Sequence, residues 1–140
     1  ATNTGNEYKT LYLPEHLGEA AYNAMKEEPV VLEMMDLYEK TSIVIHGIGS
    51  ADEMATRRKM IASDRVDLEN LGAVGEAFGY YFDEEGKAVQ RIRTVGLQLE
   101  QVKNCPTILA VAGGAKKAKA ILSYFKNAAK QTIFITDMAA

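Results

Sequence analysis

Three short apolar runs constrain this chain more than any other feature. They are SIVIH at 42–46, TILAVA at 107–112 and TIFIT at 132–136. Each is rich in β-branched residues and too short for a helix, which is how strands buried on both faces of a parallel sheet read. The first two close on glycines, Gly47-Ile48-Gly49 and Gly113-Gly114. Segments with helical spacing lie between the runs. Strand, helix and strand in alternation imply βαβ units with right-handed crossovers. The expected class is therefore α/β, a Rossmann-like parallel sheet with helices on both faces.

The remaining segments fill in that plan. Residues 8–13 (YKTLYL) read as a further strand, ended by Pro14. Leu17, Ala20, Ala21, Ala24 and Met25 form an apolar helical stripe, Pro29 interrupts it, and Val31, Met34, Met35 and Tyr38 resume it. Residues 15–40 are thus two consecutive helices, with the methionines as core filler. Ser50 or Asp52 can cap a helix carrying Met54, Ala55, Arg58 and Ile61. Residues 63–72 are polar, with about a turn of helix at Leu68 and Leu71. Residues 74–82 and 87–95 read as two strands joined at Asp83-Glu84-Glu85-Gly86, a hairpin. A short helix at 97–102 follows, and Ala118, Ile121, Leu122 and Phe125 mark the last one.

Composition limits the partners. A chain of 140 residues is one domain, able to bury about 70% of its unfolded surface. Its net charge is −3 and its basic residues are dispersed, so it lacks the basic footprint of a free-standing nucleic-acid binder. The longest apolar runs, five or six residues, are far too short to span a bilayer. No secretory leader opens the chain, and the single Cys105 cannot form an internal disulfide, so the expected setting is cytoplasmic. No metal or cofactor is expected. The polar lead before Glu7, and a stop at Met138-Ala139-Ala140 directly after an apolar run, suggest a piece of something longer.

Open α/β sheets bind ligands at the carboxyl ends of their strands. Both glycine turns fall there. Gly47 and Gly49, and Gly113 and Gly114, permit tight turns and leave amides open to an anion, although glycine at such a turn is often only steric. Lys116 and Lys117 start the last helix, where its dipole disfavours a cation. Lys117 stands four residues before Ile121, at the edge of the apolar stripe, so it either meets a phosphate or snorkels over the sheet end. Arg57 and Arg58 lie in the helix after Gly49, and one of them must approach its apolar face. A guanidinium fork suits phosphate, but an arginine pair also covers apolar surface. Glu76 is the sole charge between Leu71 and Phe82. Buried there, it needs partners, either sugar hydroxyls or Arg91 or Arg93 across the hairpin.

His46-Gly47-Ile48-Gly49, Glu76-Ala77-Phe78-Gly79-Tyr80-Tyr81-Phe82 with Gly86, Val95-Gly96, Ala110-Val111-Ala112-Gly113-Gly114, Lys117-Ala118 and Thr136-Asp137 occur in one order. Together they resemble the sugar-binding domain of the SorC/DeoR-type bacterial transcription regulators, from about Tyr8 to Asp137. The resemblance implies an effector domain with the fold of sugar-phosphate isomerases and deaminases, and a homo-oligomer. It implies an effector such as fructose 1,6-bisphosphate or a related phosphosugar. Carried over by position, Arg57 and Lys117 would hold phosphate, and Glu76 a sugar hydroxyl. DNA would be gripped only by an N-terminal helix-turn-helix domain. That domain and a Gly-Gly-Thr-Thr-like phosphate loop would lie before Ala1, leaving residues 1–140 as the C-terminal part of the effector domain. Met138 stands where the family commonly has an acidic residue, so the tail is assigned no role.

Two other readings remain. Isomerases and deaminases of this fold follow the glycine turn with Asp-Gly-His, whereas here Ser50-Ala51-Asp52-Glu53 follows it, and His46 and His16 lack an evident orienting carboxylate. Catalysis is therefore not expected. An oligomerisation fragment without ligand is the other alternative.

Overall fold

The computed structural model describes residues 5, 7–14 and 17–140. His16 and the polar lead other than Gly5 lie outside the described residues. The three apolar runs form β1 (Ile43–Gly47), β6 (Thr107–Val111) and β7 (Thr132–Ile135), a parallel sheet in the order β1-β6-β7. A second, antiparallel sheet has the order β2-β3-β4-β5, with β2 at Gly49–Ser50, β3 at Ala73–Ala77, β4 at Tyr80–Asp83 and β5 at Ala88–Arg91. Only Ile48 separates β1 from β2. The Gly47–Gly49 turn is thus the junction between the two sheets.

Helices α1 (Glu19–Met25) and α2 (Pro29–Glu39) come first, with Pro29 opening α2, where its missing N–H costs nothing. Helices α3 (Ala51–Arg57) and α4 (Ala62–Asn70) pack on one face of the antiparallel sheet, where Ala51, Ala55, Leu68 and Tyr81 form a buried cluster. Helix α6 (Ala118–Lys126) covers the other face, joining Ala120, Ile121 and Tyr124 to Ile48, Ala77, Phe82 and Ala110. A Cβ on Gly75 would lie 3.1 Å from Ala120 Cα, so β3 and α6 are closely apposed. Helix α5 (Leu99–Asn104) brings Val102 and its capping residue Cys105 against Val44 and Ile108 of the parallel sheet. Gln98 and Gln101 form its capping box.

The expectation of strands covered on both faces is met on one face only. Val44, Ile108 and Ala110 are buried, whereas Ile43 is 57%, Ile45 69%, Val111 42%, Ile133 53% and Ile135 50% exposed. The register aligns Ile45 with Leu109 and Leu109 with Ile133, so these side chains share one open apolar face.

Three local expectations change. Residues 8–13 form no strand, and Tyr8 and Tyr12 are exposed. Aromatic β-propensity acts only against a neighbouring strand, and Lys9 instead pairs with Glu33 of α2. The run 74–82 is two strands, because Phe78 and Gly79, at φ +57° and +81°, turn the chain. The polar stretch 63–72 holds more helix than expected, α4 with nine residues. Elsewhere the 83–86 hairpin is present: Gly86 sits at φ +76° with Ser123 O 2.5 Å from where its Cβ would be.

Candidate functional site

The carboxyl ends of β1 and β6 lie side by side, with Gly47 opposite Val111. After β1 the chain turns through Gly49, which pairs with Glu76 on β3. A Cβ on Gly49 would lie 2.4 Å from Met54 Cγ, so a larger residue would have to displace the flexible Met54 side chain, and Glu76 Oε2 would be 3.8 Å away. After β6 the chain turns through Gly113 and Gly114 into a 3-10 turn, Ala115–Lys117, where Lys117 N–H donates to Gly114 O at 2.9 Å. That turn lies beside β2. Gly47, Gly49, Gly113, Gly114, Glu76 and Lys117 therefore gather where the sheets meet.

Glu76 is 4% exposed and is held through one carboxylate oxygen. Its Oε1 accepts from Gly79 N–H at 2.6 Å and from Arg58 Nη2 at 3.1 Å. Arg58 also donates to Tyr81 Oη at 3.4 Å. The arginine that approaches the apolar face is thus Arg58, and the partner of Glu76 is neither Arg91 nor Arg93. By holding Gly79, Glu76 also fixes the hairpin tip where Phe78 adopts a left-handed backbone, a conformation costing a non-glycine residue roughly 1–2 kcal/mol. Arg57 ends α3, exposed, and makes no ion pair among the described residues. Lys117 is half-buried and likewise has no ion pair among the described residues. The structure brings Glu76 to Gly49 and Lys117 to Gly114. It places neither Arg57 nor Lys117 in contact with Glu76.

Two features of this region escaped the sequence reading. Asp137, just past β7, accepts from Gly114 N–H at 3.1 Å and from Ala139 N–H at 2.9 Å. Those backbone donors, Gly114 first, hold its carboxyl below the ordinary carboxylate range. Its Oδ2 would lie 2.5 Å from a Cβ on Gly113. Gly113 thus leaves room for Asp137, and Gly114 sits at φ +89°, so each glycine has a reason that needs no ligand. The Thr136-Asp137 pair was the available signal. The second feature is His46 at the end of β1, whose Nδ1 is 3.0 Å from Gly47 O and whose Nε2 is 3.0 Å from Tyr124 Oη. Burial lowers the His46 pKa against the opposing pull of the Gly47 carbonyl, and burial pushes Tyr124 up to about 12.

The gathered residues lie apart from the cavity between β4, α5 and α6. That cavity, of about 350 Å³, is floored by Phe82, Val102, Ile108 and Tyr124, and none of the seven candidate residues lines it. Among the described residues no cluster of His, Cys, Asp or Glu could hold a metal, and no helix is long and apolar enough to cross a membrane.

A family model described as "Putative sugar-binding domain" matches residues 1–140. The chain belongs to this family of sugar-binding domains. The domain is 42% identical over 140 residues to the central glycolytic genes regulator of Priestia megaterium, covering 100% of this chain and 41% of that protein. It is 40% identical to the protein of the same name from Bacillus subtilis, with the same coverage. A crystal structure described as a "putative SorC family transcriptional regulator" from Enterococcus faecalis superposes with a TM-score of 0.91 at 48% identity, covering 99% of this chain and 56% of that one. The sugar-binding domain thus spans less than half the length of these curated relatives, and the resemblance to SorC-type regulators holds across the chain.

Proposed function

We propose that this sugar-binding domain is the effector domain of a bacterial transcription repressor of glycolytic genes, and that it binds a phosphorylated sugar, fructose 1,6-bisphosphate or a close relative. The observation that carries this reading is the meeting of two glycine turns, Lys117 and Glu76 where the sheets join, at the carboxyl ends of β1 and β6. Lys117 supplies a cation at a crowded sheet end, where it makes no ion pair among the described residues. Arg58 is neutralised by Glu76, which makes Arg57 the arginine able to serve an incoming phosphate. Glu76 Oε2 faces Gly49 and offers an acceptor to a sugar hydroxyl. Gly47, Gly49, Gly113 and Gly114 allow the ligand close to the backbone.

The domain acts by binding, without a cofactor. Both ring nitrogens of His46 are engaged, so this imidazole is not a free base beside the glycine turn, which supports a binding role over isomerase or deaminase chemistry. DNA contact, repression and homo-oligomer formation belong to the longer cytoplasmic protein of which regulators of this kind consist. Isothermal titration with fructose 1,6-bisphosphate tests the site. Saturable binding lost in Lys117→Ala and weakened in Arg57→Ala is expected, and undiminished binding by both variants overturns the assignment.

A further inference from the structure

We propose that His46 is a positioning residue for the sugar-phosphate site: through Tyr124 and Gly47 it locks the glycine turn, the Phe78 hairpin tip and helix α6 into one arrangement. The proposal rests on the reading of the site given above. His46, Tyr124 and Phe78 do not themselves need to touch the sugar phosphate for it to hold.

Three elements meet at one imidazole. The ring lies at the end of β1, with its centroid 4.2 Å from that of Phe78 and 5.2 Å from that of Tyr124. Phe78 is the left-handed residue at the β3–β4 tip, one position before the Gly79 amide that Glu76 holds. Tyr124 belongs to α6, the helix that Lys117 leads into, and is 7% exposed. Each element carries one part of the site: Gly47 at the end of β1 with Gly49 just beyond it, Glu76 beside the tip, and Lys117 before α6.

The hydrogen bonds give this meeting a direction. A carbonyl can only accept, so the contact with Gly47 O assigns the proton to Nδ1. Nε2 is then an acceptor and takes the Tyr124 O–H. The relay runs from the Tyr124 hydroxyl to Nε2, and from Nδ1–H to the Gly47 carbonyl. Both groups are neutral in this pattern, which agrees with burial lowering the His46 pKa and raising that of Tyr124. One ring thereby fixes the angle between the sheet junction and α6, and its face supports a strained aromatic residue that has no regular strand to hold it.

Titration of fructose 1,6-bisphosphate into the chain and its variants tests the relay. Tyr124→Phe keeps the ring and removes one hydrogen bond, and it is expected to weaken binding about five- to tenfold. His46→Ala weakens it further, and His46→Asn, whose amide can still donate to Gly47 O, recovers part of that loss. The double variant His46→Ala/Tyr124→Phe binds no worse than His46→Ala alone, since the two residues form one chain. Lys117→Ala separates the two readings. If Lys117→Ala abolishes binding while Tyr124→Phe and His46→Ala bind as the parent does, the relay is overturned and the site stands. If the parent shows no saturable binding, or Lys117→Ala binds normally, the site reading fails. Amide hydrogen exchange without ligand then decides the relay by itself. Faster exchange at both Gly49 and Gly79 in Tyr124→Phe is expected, and unchanged exchange at both overturns the proposal.

Discussion

Two ion pairs of nearly equal length isolate the effect of burial. Arg58 reaches Glu76 at 3.1 Å with side-chain exposures of 13% and 5%, whereas Lys126 reaches Glu85 at 3.0 Å with exposures of 44% and 81%. Replacing either cation with methionine keeps most of the apolar stem and deletes the charge. Lys126→Met leaves Glu85 in water, and an exposed pair of this kind contributes about 0.5 kcal/mol. Arg58→Met leaves a buried carboxylate that still accepts from the Gly79 N–H but has lost its cation, and stranding one member of a buried pair costs about 3–5 kcal/mol. At roughly 3–5 °C per kcal/mol for a domain of this size, the melting temperature falls by about 10 °C or more in one variant and by a degree or two in the other. Urea unfolding followed by circular dichroism measures both, and the midpoint should shift without a change in slope. Equal losses in the two variants, or a loss below about 1 kcal/mol for Arg58→Met, would refute the argument that burial makes the first pair indispensable.

Further expectations follow from single positions. Gly86→Ala meets both a left-handed backbone and Ser123 O at 2.5 Å, while Gly114→Ala, at φ +89°, meets nothing within 4 Å. Thermal melts should therefore show a larger loss for Gly86→Ala, with Gly114→Ala confined to the backbone cost of roughly 1–3 kcal/mol. Burial favours neutral His46, so its folded pKa lies below 6.5. The stability it contributes is present above that value and is lost as pH falls through the folded pKa, so the parent should lose stability below 6.5 more steeply than His46→Asn. Asp137→Ala removes the acceptor for Gly114 N–H, and nuclear magnetic resonance should show the Gly114 amide shifted and exchanging faster while β1 amides are unchanged.

The parallel sheet was legible because its strands are short apolar runs of strand length, enriched in β-branched residues and in two cases closed by glycines. What the sequence hid was geometry carried by single residues. Nothing in Phe78 announces a left-handed turn, and Gly79 beside it was absorbed into an apolar run. The choice between Arg58 and Arg57 depended on which side chain α3 directs at β3, and one residue of helix is a rotation of about 100°. Asp137 lies 23 residues from Gly114, and His46 lies 78 from Tyr124, so no local pattern could pair them. Lys117 and Glu76 stood out earlier because each conflicts with its surroundings, one with a helix dipole and the other with an apolar strand.

The open face of the parallel sheet has a practical consequence for how this domain reports on itself. Ile43, Ile45, Val111, Ile133 and Ile135 present a continuous greasy surface while the molecule is fully folded. Fluorescent dyes that light up on apolar surface will bind it in the native state, so a bright baseline signifies this face rather than a loosened core. Dye-based melting curves would begin high and understate cooperativity. The chain has no tryptophan but seven tyrosines, and tyrosine emission, with Tyr124 and Tyr81 deeply buried, offers a cleaner native signal.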